Sequence, residues 1–352
     1  MISIHTRLLV HKICIYLFVC TLVVIVCLPS HCKAAEPASP EDLFAPDMPL
    51  RDFGLPADLF AVDFPVSNLG WACGRWGNIL HTTDAGKSWQ LQNSGTETTL
   101  TDIMFIDQTH GWAVGNGGVI VHTTDGGKTW KKQKSPVPFF HMGVYFTNRQ
   151  RGWIVTERSH ILYTDNGGKD WQIQFVGDDV ILKSISFVDS RCGWAVGEYG
   201  YIYHTRDGGE NWEHQAGFCR ISYQTGELEA GTTLFDIKAI DRKRAYAVGM
   251  DSTLFVTEDA GKRWEKIKIS REAIQFFSIN TDGNGYMIIL GKGKSYESRD
   301  YGGSWERAKF YPPAIYGWLY DSAIIGSDFI AVGWNGATYR KVQNKWIDET
   351  VK

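Results

Sequence analysis

The chain has few of the features that mark metal proteins, disulfide-rich proteins or serine hydrolases. It contains seven cysteines among 352 residues, and four of them fall within residues 1–35, which leaves Cys73, Cys192 and Cys219. An odd number of widely spaced cysteines does not form a disulfide framework, so we expect free or buried thiols. No metal-ligand spacing and no G-x-S-x-G sequence is present. We therefore predict that the protein has no cofactor and no bound metal.

A surplus of positive charge is also missing. The whole chain has 36 Lys and Arg against 39 Asp and Glu. Residues 1–35 contain three of the basic residues and no acid, so the remainder has 36 − 3 = 33 basic and 39 acidic side chains, a net charge of 33 − 39 = −6. Nucleic-acid binding requires a basic surface, so this balance argues against a nucleic-acid partner.

The N-terminal region differs from the rest of the chain. A basic start with Arg7 and Lys12 leads into Ile13 to Leu28, an apolar run of 16 residues without charge, and Ala34 and Ala35 follow. This order is typical of a secretory signal peptide, and the run is short for a membrane span. We predict a signal peptide over residues 1–35 and an exported protein. An uncleaved membrane anchor and a lipoprotein attached through Cys32 are the alternatives.

The rest of the sequence is dominated by a repeated octet of the form S/T-x-D/N-x-G-x-x-W, as in Thr123 to Trp130. Its acidic position is occupied in turn by Asp84, Asp125, Asn166, Asp207, Asp259 and Asp300. These positions are separated by 41, 41, 41, 52 and 41 residues. A fixed period of about 40 residues is typical of propellers and solenoids.

The residue types of the octet predict a tight hairpin turn. The Asp or Asn side chain can accept hydrogen bonds from nearby backbone N–H groups, and the Gly allows the chain to reverse direction. The Trp is a large anchor for the strand that follows. We therefore interpret the six acidic positions as structural, rather than as ligands of a metal or a substrate. The octet resembles the Asp-box (BNR) repeat of sialidases and related propellers.

Alternating apolar runs precede each octet and predict the strands of the repeat. Before the second octet these runs are Leu100 to Phe105, Gly111 to Gly115 and Gly118 to His122, and a polar strand, Lys131 to Lys134, follows it. Seven such units occur, although the octet of the seventh has decayed and keeps only Trp346. We predict that blade 7 supplies its own outer strand, Trp346 to Val351. The predicted fold is all-β, a seven-bladed β-propeller of four-stranded antiparallel blades over residues 55–352. We expect residues 36–54 to form an extended lead-in. The ring closes either by direct contact of blades 1 and 7 or through a strand from the lead-in near Leu50.

Departures from the repeat are the candidate functional features. Strand order places the octets on one face and the turns between strands 2 and 3 on the other. Aromatic and Arg side chains in these 2–3 turns are typical interface anchors. The long interval inserts about eleven residues near 216–233 on the same face. The candidate partner-binding residues are Arg75, Trp76, Arg158, Tyr199, Phe218, Arg220, Tyr223 and Trp334. Packing of the turn residues against neighbouring turns is the alternative.

An enzymatic function finds little support in the sequence. A sialidase has its first Arg in an F/Y-R-I-P sequence before the first octet, and Arg51 to Gly54 does not match it. A glycosidase needs two carboxylates facing each other. The acids of the inner strands are few, and Asp102 and Asp236 occupy equivalent repeat positions, which suggests a packing role. We therefore predict a non-enzymatic protein, with an Asp-box glycan-binding protein or sialidase-like hydrolase as the alternative.

The full repeat unit carries a closer resemblance than the octet alone. The pattern F-x-D-x-x-x-G-W-A-V-G-x-x-G-x-I-x-x-T-x-D-G-G-x-x-W is nearly complete at residues 105–130 and 187–212. It is similar to the repeat of the photosystem II stability/assembly factors of chloroplasts and cyanobacteria, a repeat that bacterial relatives outside photosynthesis share. The resemblance implies a monomeric, non-enzymatic factor in a periplasm or thylakoid lumen. Its partner would be a protein, namely a membrane-protein complex or an assembly intermediate.

Overall fold

The computed structural model describes residues 57–223, 226–314 and 317–350. All of them belong to one compact unit from Leu55 to Lys352. The predicted signal peptide and the predicted lead-in, including the expected strand near Leu50, lie outside the described residues. In the described part of the chain, no helix is long and apolar enough to cross a membrane.

The predicted seven-bladed propeller is confirmed. Six antiparallel sheets have four strands each in sequential order, and the seventh sheet has five. Blades 1 and 2 contain β1 (Leu59–Val66), β2 (Leu69–Gly74), β3 (Ile79–Thr82), β4 (Gln90–Gln92), β5 (Leu100–Phe105), β6 (Gly111–Gly115), β7 (Ile120–Thr123) and β8 (Lys131–Gln133). Blades 3 and 4 contain β9 (His141–Phe146), β10 (Gly152–Thr156), β11 (His160–Thr164), β12 (Gln172–Val176), β13 (Leu182–Phe187), β14 (Gly193–Gly197), β15 (Ile202–Thr205) and β16 (Glu213–Ala216).

The inserted segment forms a separate two-stranded sheet between blades 4 and 5, made of β17 (Cys219–Ile221) and β18 (Leu228–Ala230). Blades 5 and 6 contain β19 (Leu234–Ala239), β20 (Ala245–Gly249), β21 (Thr253–Thr257), β22 (Glu265–Lys268), β23 (Phe276–Thr281), β24 (Met287–Gly291), β25 (Tyr296–Ser298) and β26 (Glu306–Arg307). Blade 7 contains β27 (Phe310–Tyr311), β28 (Leu319–Ile325), β29 (Asp328–Gly333), β30 (Thr338–Val342) and β31 (Lys345–Asp348).

The core lies between neighbouring blades and is built from the tryptophans of the second strands. Trp112 is fully buried. Its ring stacks on His122 of its own blade, with ring centroids 4.6 Å apart, and on Phe146 of the next blade at 3.6 Å. Trp71 and Trp153 make equivalent stacks on Phe105 and Phe187. The repeat thus buries large aromatic surfaces at each of these interfaces, which is the main source of stability.

A glutamine in the fourth strand ties each of the first four blades to the octet of the next. The amide of Gln92 donates to the carbonyl oxygen of Gly126 at 3.1 Å, and its oxygen accepts from Nε1 of Trp130 at 3.1 Å. Gly127 has φ +81°, and a Cβ there would come within 1.9 Å of Gln92 Oε1. The octet glycine therefore serves the turn and the interface between blades together. The other interblade glutamines are Gln133, Gln174 and Gln215.

Of the two routes to ring closure, the described residues show direct contact of blades 7 and 1. Leu59, Val62 and Phe64 pack against Ala323, Ile325, Ile330 and Val332. The carboxylate of Asp321 accepts the backbone N–H of Val62 at 3.0 Å. Blade 7 supplies its own outer strand, β31, and β27 pairs with it in parallel.

The outer strand of blade 7 differs slightly from its predicted position, which began at Trp346. A two-residue turn replaces the missing octet, so the strand starts at Lys345 and Trp346 lies within it. Trp346 is fully buried between blades 6 and 7, and it stacks on Phe310 at 5.2 Å. Its Nε1 donates to the buried carboxylate of Glu297 at 2.9 Å.

Candidate functional site

The propeller has two faces with different chemistry. The octet face carries the octets and the loops between strands 1 and 2. The far face carries the 2–3 turns, the loops that lead from one blade to the next, and the inserted hairpin β17–β18. The candidate partner-binding residues all belong to this far face.

The carboxylates of the octet face are used by their own turns. Asp125 accepts the hydroxyl of Thr123 at 2.8 Å, and both the backbone N–H and the hydroxyl of Thr129 at 2.9 and 2.7 Å. The hydrogen bonds from Thr129 hold the pKa of Asp125 down to about 2. Equivalent turns form around Asp84, Asn166, Asp207, Asp259 and Asp300.

The central channel is lined by carboxyl groups that connect neighbouring blades. It encloses about 320 Å³ and is bordered by Asp63, Asp102, Asp236, Asp321 and Lys238. Asp102 accepts the backbone N–H of Val144 in the next blade at 2.7 Å, and Asp236 accepts that of Ile279 at 2.9 Å. Burial raises the pKa of each of the four aspartates. They tie the inner strands together, as the repeat positions of Asp102 and Asp236 suggested.

An aromatic arc surrounds half of the channel mouth on the far face. It is formed by the second residues of four inner strands and by Trp318, all half-buried. Tyr320 contacts Phe60 across the ring closure at 5.1 Å between ring centroids, and it contacts Phe277 at 5.4 Å. Phe277 in turn contacts Phe235 at 5.4 Å and Trp318 at 5.8 Å. We call Phe60, Phe235, Phe277, Trp318 and Tyr320 the aromatic arc.

Cations lie beside two rings of the arc, one on blade 1 and one on blade 7. The guanidinium of Arg75 lies 5.9 Å from the centre of the Phe60 ring, and the ammonium of Lys292 lies 4.8 Å from that of Trp318. On the other half of the rim the equivalent strand positions hold Thr101, Met142 and Lys183. Burial lowers the pKa of Lys183, and the nearby Glu198 and Glu157 oppose that effect. The rim is therefore aromatic on one side and has no aromatic residue at the equivalent strand positions on the other.

Two exposed tryptophans stand next to the arc on adjacent blades. Trp76 is 44% exposed and Trp334 is 47% exposed. The carboxylate of Asp58 joins their turns, because it accepts Nε of Arg75 at 2.7 Å and the backbone N–H of Asn335 at 2.7 Å. Arg75, Trp76 and Trp334 thus form one group at the junction of blades 7 and 1.

The remaining candidates lie on blades 3 and 4 and on the inserted hairpin. Arg158 is exposed and stacks over Phe139 at 5.0 Å. Tyr199 accepts the backbone N–H of Phe218 through its carbonyl oxygen at 3.2 Å, which fixes the base of the hairpin. Arg220 stacks over Phe218 at 5.6 Å, and Tyr223 projects fully into solvent. The structure therefore divides the predicted residues into a group on blades 7 and 1, Arg158 on blade 3, and a group on blade 4 and the hairpin.

The aromatic arc was missed at the sequence level, although a signal for it exists. The second residue of the first strand is aromatic in blades 1, 5, 6 and 7 and not in blades 2, 3 and 4. Those residues were used only to locate strands. Comparing the same position across all blades would have identified the arc.

The glutamates at the channel mouth are engaged in hydrogen bonds to the backbone. Among the described residues, no group of three or more His, Cys, Asp or Glu is placed to hold a metal ion. At the channel mouth, Glu157 accepts the backbone N–H of Phe140 at 3.1 Å, and Glu198 accepts that of Ile181 at 3.2 Å. These carboxylates therefore hold loops in place.

Solved structures with the same fold include two relatives and one enzyme. The protein "YCF48 bound to D1 peptide" superposes with a TM-score of 0.67 at 18% identity, covering 82% of this chain and 95% of that one. YCF48 from Cyanidioschyzon merolae gives 0.66 at 19% identity, covering 82% and 96%. A GH74 enzyme from Niastella koreensis gives 0.67 at 12% identity, covering 85% of this chain but only 55% of the enzyme. At these identities the likeness shows the fold alone.

Sequence comparison places the chain more narrowly. No curated protein sequence matches it. The family described as "Photosynthesis system II assembly factor YCF48" matches residues 87–172, 134–217 and 216–317. These matches together span more than half of the 352 residues. The chain therefore belongs to the YCF48 family of photosystem II assembly factors.

Proposed function

We propose that this protein is an exported, non-enzymatic docking factor that holds an exposed segment of a membrane-protein assembly intermediate on its far face. The aromatic arc, together with the exposed Trp76 and Trp334 beside it, carries this proposal. Aromatic side chains with Arg at their edge are the commonest energetic anchors of protein interfaces. An arc that covers one half of the rim gives the bound segment a defined orientation.

Backbone strain in the 2–3 turns supports the same conclusion. The second residue of each turn is left-handed, with φ of +67° at Gly117 and +69° at Gly293. Trp76, Arg158 and Tyr199 occupy the equivalent position with φ of +57° to +60°. A bulky residue in this conformation costs roughly 1 to 2 kcal/mol compared with glycine. Asp251 and Asn335 share this conformation in two other blades. Glycine suits the turn better, so the strain at the bulky Trp76, Arg158 and Tyr199 supports a role for these side chains in contacts outside the turn.

Family membership supports a protein partner and the compartment. A relative of the same fold is bound to a D1 peptide, so a propeller of this family can hold a peptide segment. We propose that the partner here is also a segment of a membrane protein, within photosystem II assembly or its equivalent. The N-terminal sequence has the arrangement of a signal peptide, which supports export to a periplasm or thylakoid lumen. We propose that the protein acts there as a monomer.

Glycan binding or hydrolysis is the competing function. Its support is the likeness to a GH74 enzyme, which extends to the fold only. A retaining or inverting glycosidase needs two free carboxyl groups about 5 to 10 Å apart. Asp58, Glu157 and Glu198 at the mouth each accept a backbone N–H. Because these three carboxylates already accept backbone hydrogen bonds, they support docking over hydrolysis.

Affinity purification of the tagged protein from solubilised native membranes tests the proposal. We expect the wild type to recover one membrane complex and the double variant Trp76→Gly, Trp334→Ala to lose it at least tenfold. Glycine at position 76 relieves the left-handed strain while adding roughly 0.5 to 1 kcal/mol of chain entropy. The free energy of unfolding should therefore change little, which separates binding from folding.

The matched control is Leu91→Ala. Leu91 is 57% exposed and lies on the outer strand β4, away from the far face. We expect this variant to recover the complex as well as the wild type does. Equal recovery with the double variant would refute docking at this face. A preparation without partner that cleaves or binds a glycan would replace docking by the competing function.

A further inference from the structure

The inserted hairpin β17–β18 carries an exposed apolar surface that the rest of the molecule does not cover. Ile221 and Leu228 are directly opposite each other in the register and are 62% and 60% exposed. Tyr223 follows at the tip and is also exposed. Because side chains alternate along a strand, Cys219, Ile221, Leu228 and Ala230 share one face. Arg220 and Glu229 share the other face, where they form an ion pair at 2.9 Å.

The backbone hydrogen bonds of the hairpin leave its edges free. The N–H of Gly231 donates to the carbonyl of Phe218 at 2.9 Å, and that of Ser222 donates to Glu227 at 2.8 Å. In an antiparallel ladder, residue pairs with and without backbone hydrogen bonds alternate. Arg220 and Glu229 lie midway between the two pairs above, so their backbone groups are hydrogen-bonded to each other. The N–H and C=O groups of Leu228 and Ala230 therefore point outward. No further strand pairs with this sheet among the described residues.

Of the two edges, β18 is the more open. All three of its residues are exposed, whereas Cys219 at the start of β17 packs against the core cluster that includes Tyr201. Edge strands of this kind accept an additional strand from another chain.

The centre of β18 carries Glu229, whose side chain stays 44% exposed although Arg220 pairs with it, and this carboxylate selects the occupant. In an antiparallel pair of two copies joined through this edge, the outward groups of Leu228 and Ala230 would pair with each other. Glu229 would then lie opposite Glu229 of the second copy, and like charges directly opposite are unfavourable. A strand that places Lys or Arg opposite Glu229 would instead form a favourable pair of opposite charges. Glu198 and Asp178 near the base of the hairpin add negative charge, which acts on Cys219 and Tyr201.

We propose that β18 adds a strand from the partner protein, namely an extended, amphipathic segment with apolar residues on one face and Lys or Arg on the other. The apolar residues cover Ile221 and Leu228, and the basic residue lies opposite Glu229. This inference rests on the proposed function, because it names the chemistry of a second segment that docks on the far face.

Fluorescence anisotropy with two labelled nine-residue peptides tests the inference. One peptide alternates valine and lysine, and the other alternates valine and glutamate. At low salt we expect the lysine peptide to bind the full protein at least tenfold more tightly. Ala230→Pro should weaken this binding at least tenfold, because proline removes an outward N–H that the hairpin itself does not use. Ala230→Val keeps the N–H and is the matched control. Glu229→Lys should reverse the preference between the peptides.

Three results would overturn the inference: no binding of either peptide, equal binding of both, or binding that Ala230→Pro leaves unchanged. Self-association of the wild type in sedimentation, abolished by Ala230→Pro, would assign the edge to a second copy and also overturn it. The membrane purification separates this outcome from failure of the proposed function. If Ala230→Pro recovers the complex normally while the variant at positions 76 and 334 does not, docking stands and the added strand is wrong.

Discussion

Trp346→Ala is expected to lower the free energy of unfolding by about 3 to 5 kcal/mol, a large part of the stability of an ordinary domain. The side chain is fully buried between blades 6 and 7, where it stacks on Phe310. Its removal leaves a cavity and takes a hydrogen-bond donor from the buried Glu297. Urea denaturation followed by tryptophan fluorescence and circular dichroism measures the change.

Trp346→Phe is the matched control for this substitution. Phenylalanine keeps an aromatic ring in the core but loses part of the indole surface and the Nε1 donor to Glu297, so we expect a smaller loss of about 1 to 3 kcal/mol. An alanine variant as stable as the wild type would contradict the position of Trp346 in the core.

The second large effect is on the pH dependence of stability. The protonated carboxyl of Asp321 should stabilise the folded state at acidic pH, and this contribution should disappear as the pH rises to neutral. Burial raises the pKa of this channel carboxyl from 3.8 to about 7. Between these values the folded state binds more protons than the unfolded state, so stability falls as the pH rises. The shift of about three units corresponds to about 4 kcal/mol. This is an upper limit, because the carboxyl also borders the channel and water there reduces the cost of ionisation.

Asp321→Asn should therefore flatten the decline in unfolding free energy between about pH 4.5 and pH 8. Asparagine cannot accept all the bonds that Asp321 receives from Val62, Ser322 and Ser278. The variant should accordingly be weaker than the wild type at low pH and approach it at high pH. Urea titrations of both proteins across this range measure the difference.

Asp125→Asn in an octet is the control for the pH experiment. Hydrogen bonds from Thr129 lower the pKa of Asp125 to about 2. That carboxyl is ionised in both states above about pH 4.5, and its stabilising effect is lost only as the pH falls toward its folded pKa. The variant should keep the wild-type slope. Identical slopes for Asp321→Asn and the wild type would contradict ionisation of a buried channel carboxyl.

The fold was predictable because the repeat encodes it locally. The octet Asp and Gly specify the turn, and alternating apolar runs mark the strands, so both signals lie within a few residues of each other. The position of Trp346 in blade 7 was harder to predict. Without an octet, the sequence does not say where the last turn ends, and only the contacts with Phe310 and Glu297 place Trp346 inside the strand.

The candidate site was less predictable because it depends on contacts between blades. Trp76 and Trp334 are 258 positions apart in the chain. Their turns meet only because the ring closes and Asp58 binds both. The aromatic arc likewise depends on rings from four blades meeting at one mouth. Sequence reasoning found the exposed turn residues, which differ visibly from the glycines of other blades, but not the half-buried rings beneath them.

Site-specific photocrosslinking in native membranes tests docking at the far face. A benzophenone amino acid is placed at position 334 beside the arc, at position 91 on the outer strand of blade 1, and at position 301 on the octet face. We expect a crosslink to one membrane protein from position 334 and none from positions 91 and 301. A crosslink from position 301 or 91 with none from position 334 would contradict it and move the docking surface away from the channel mouth.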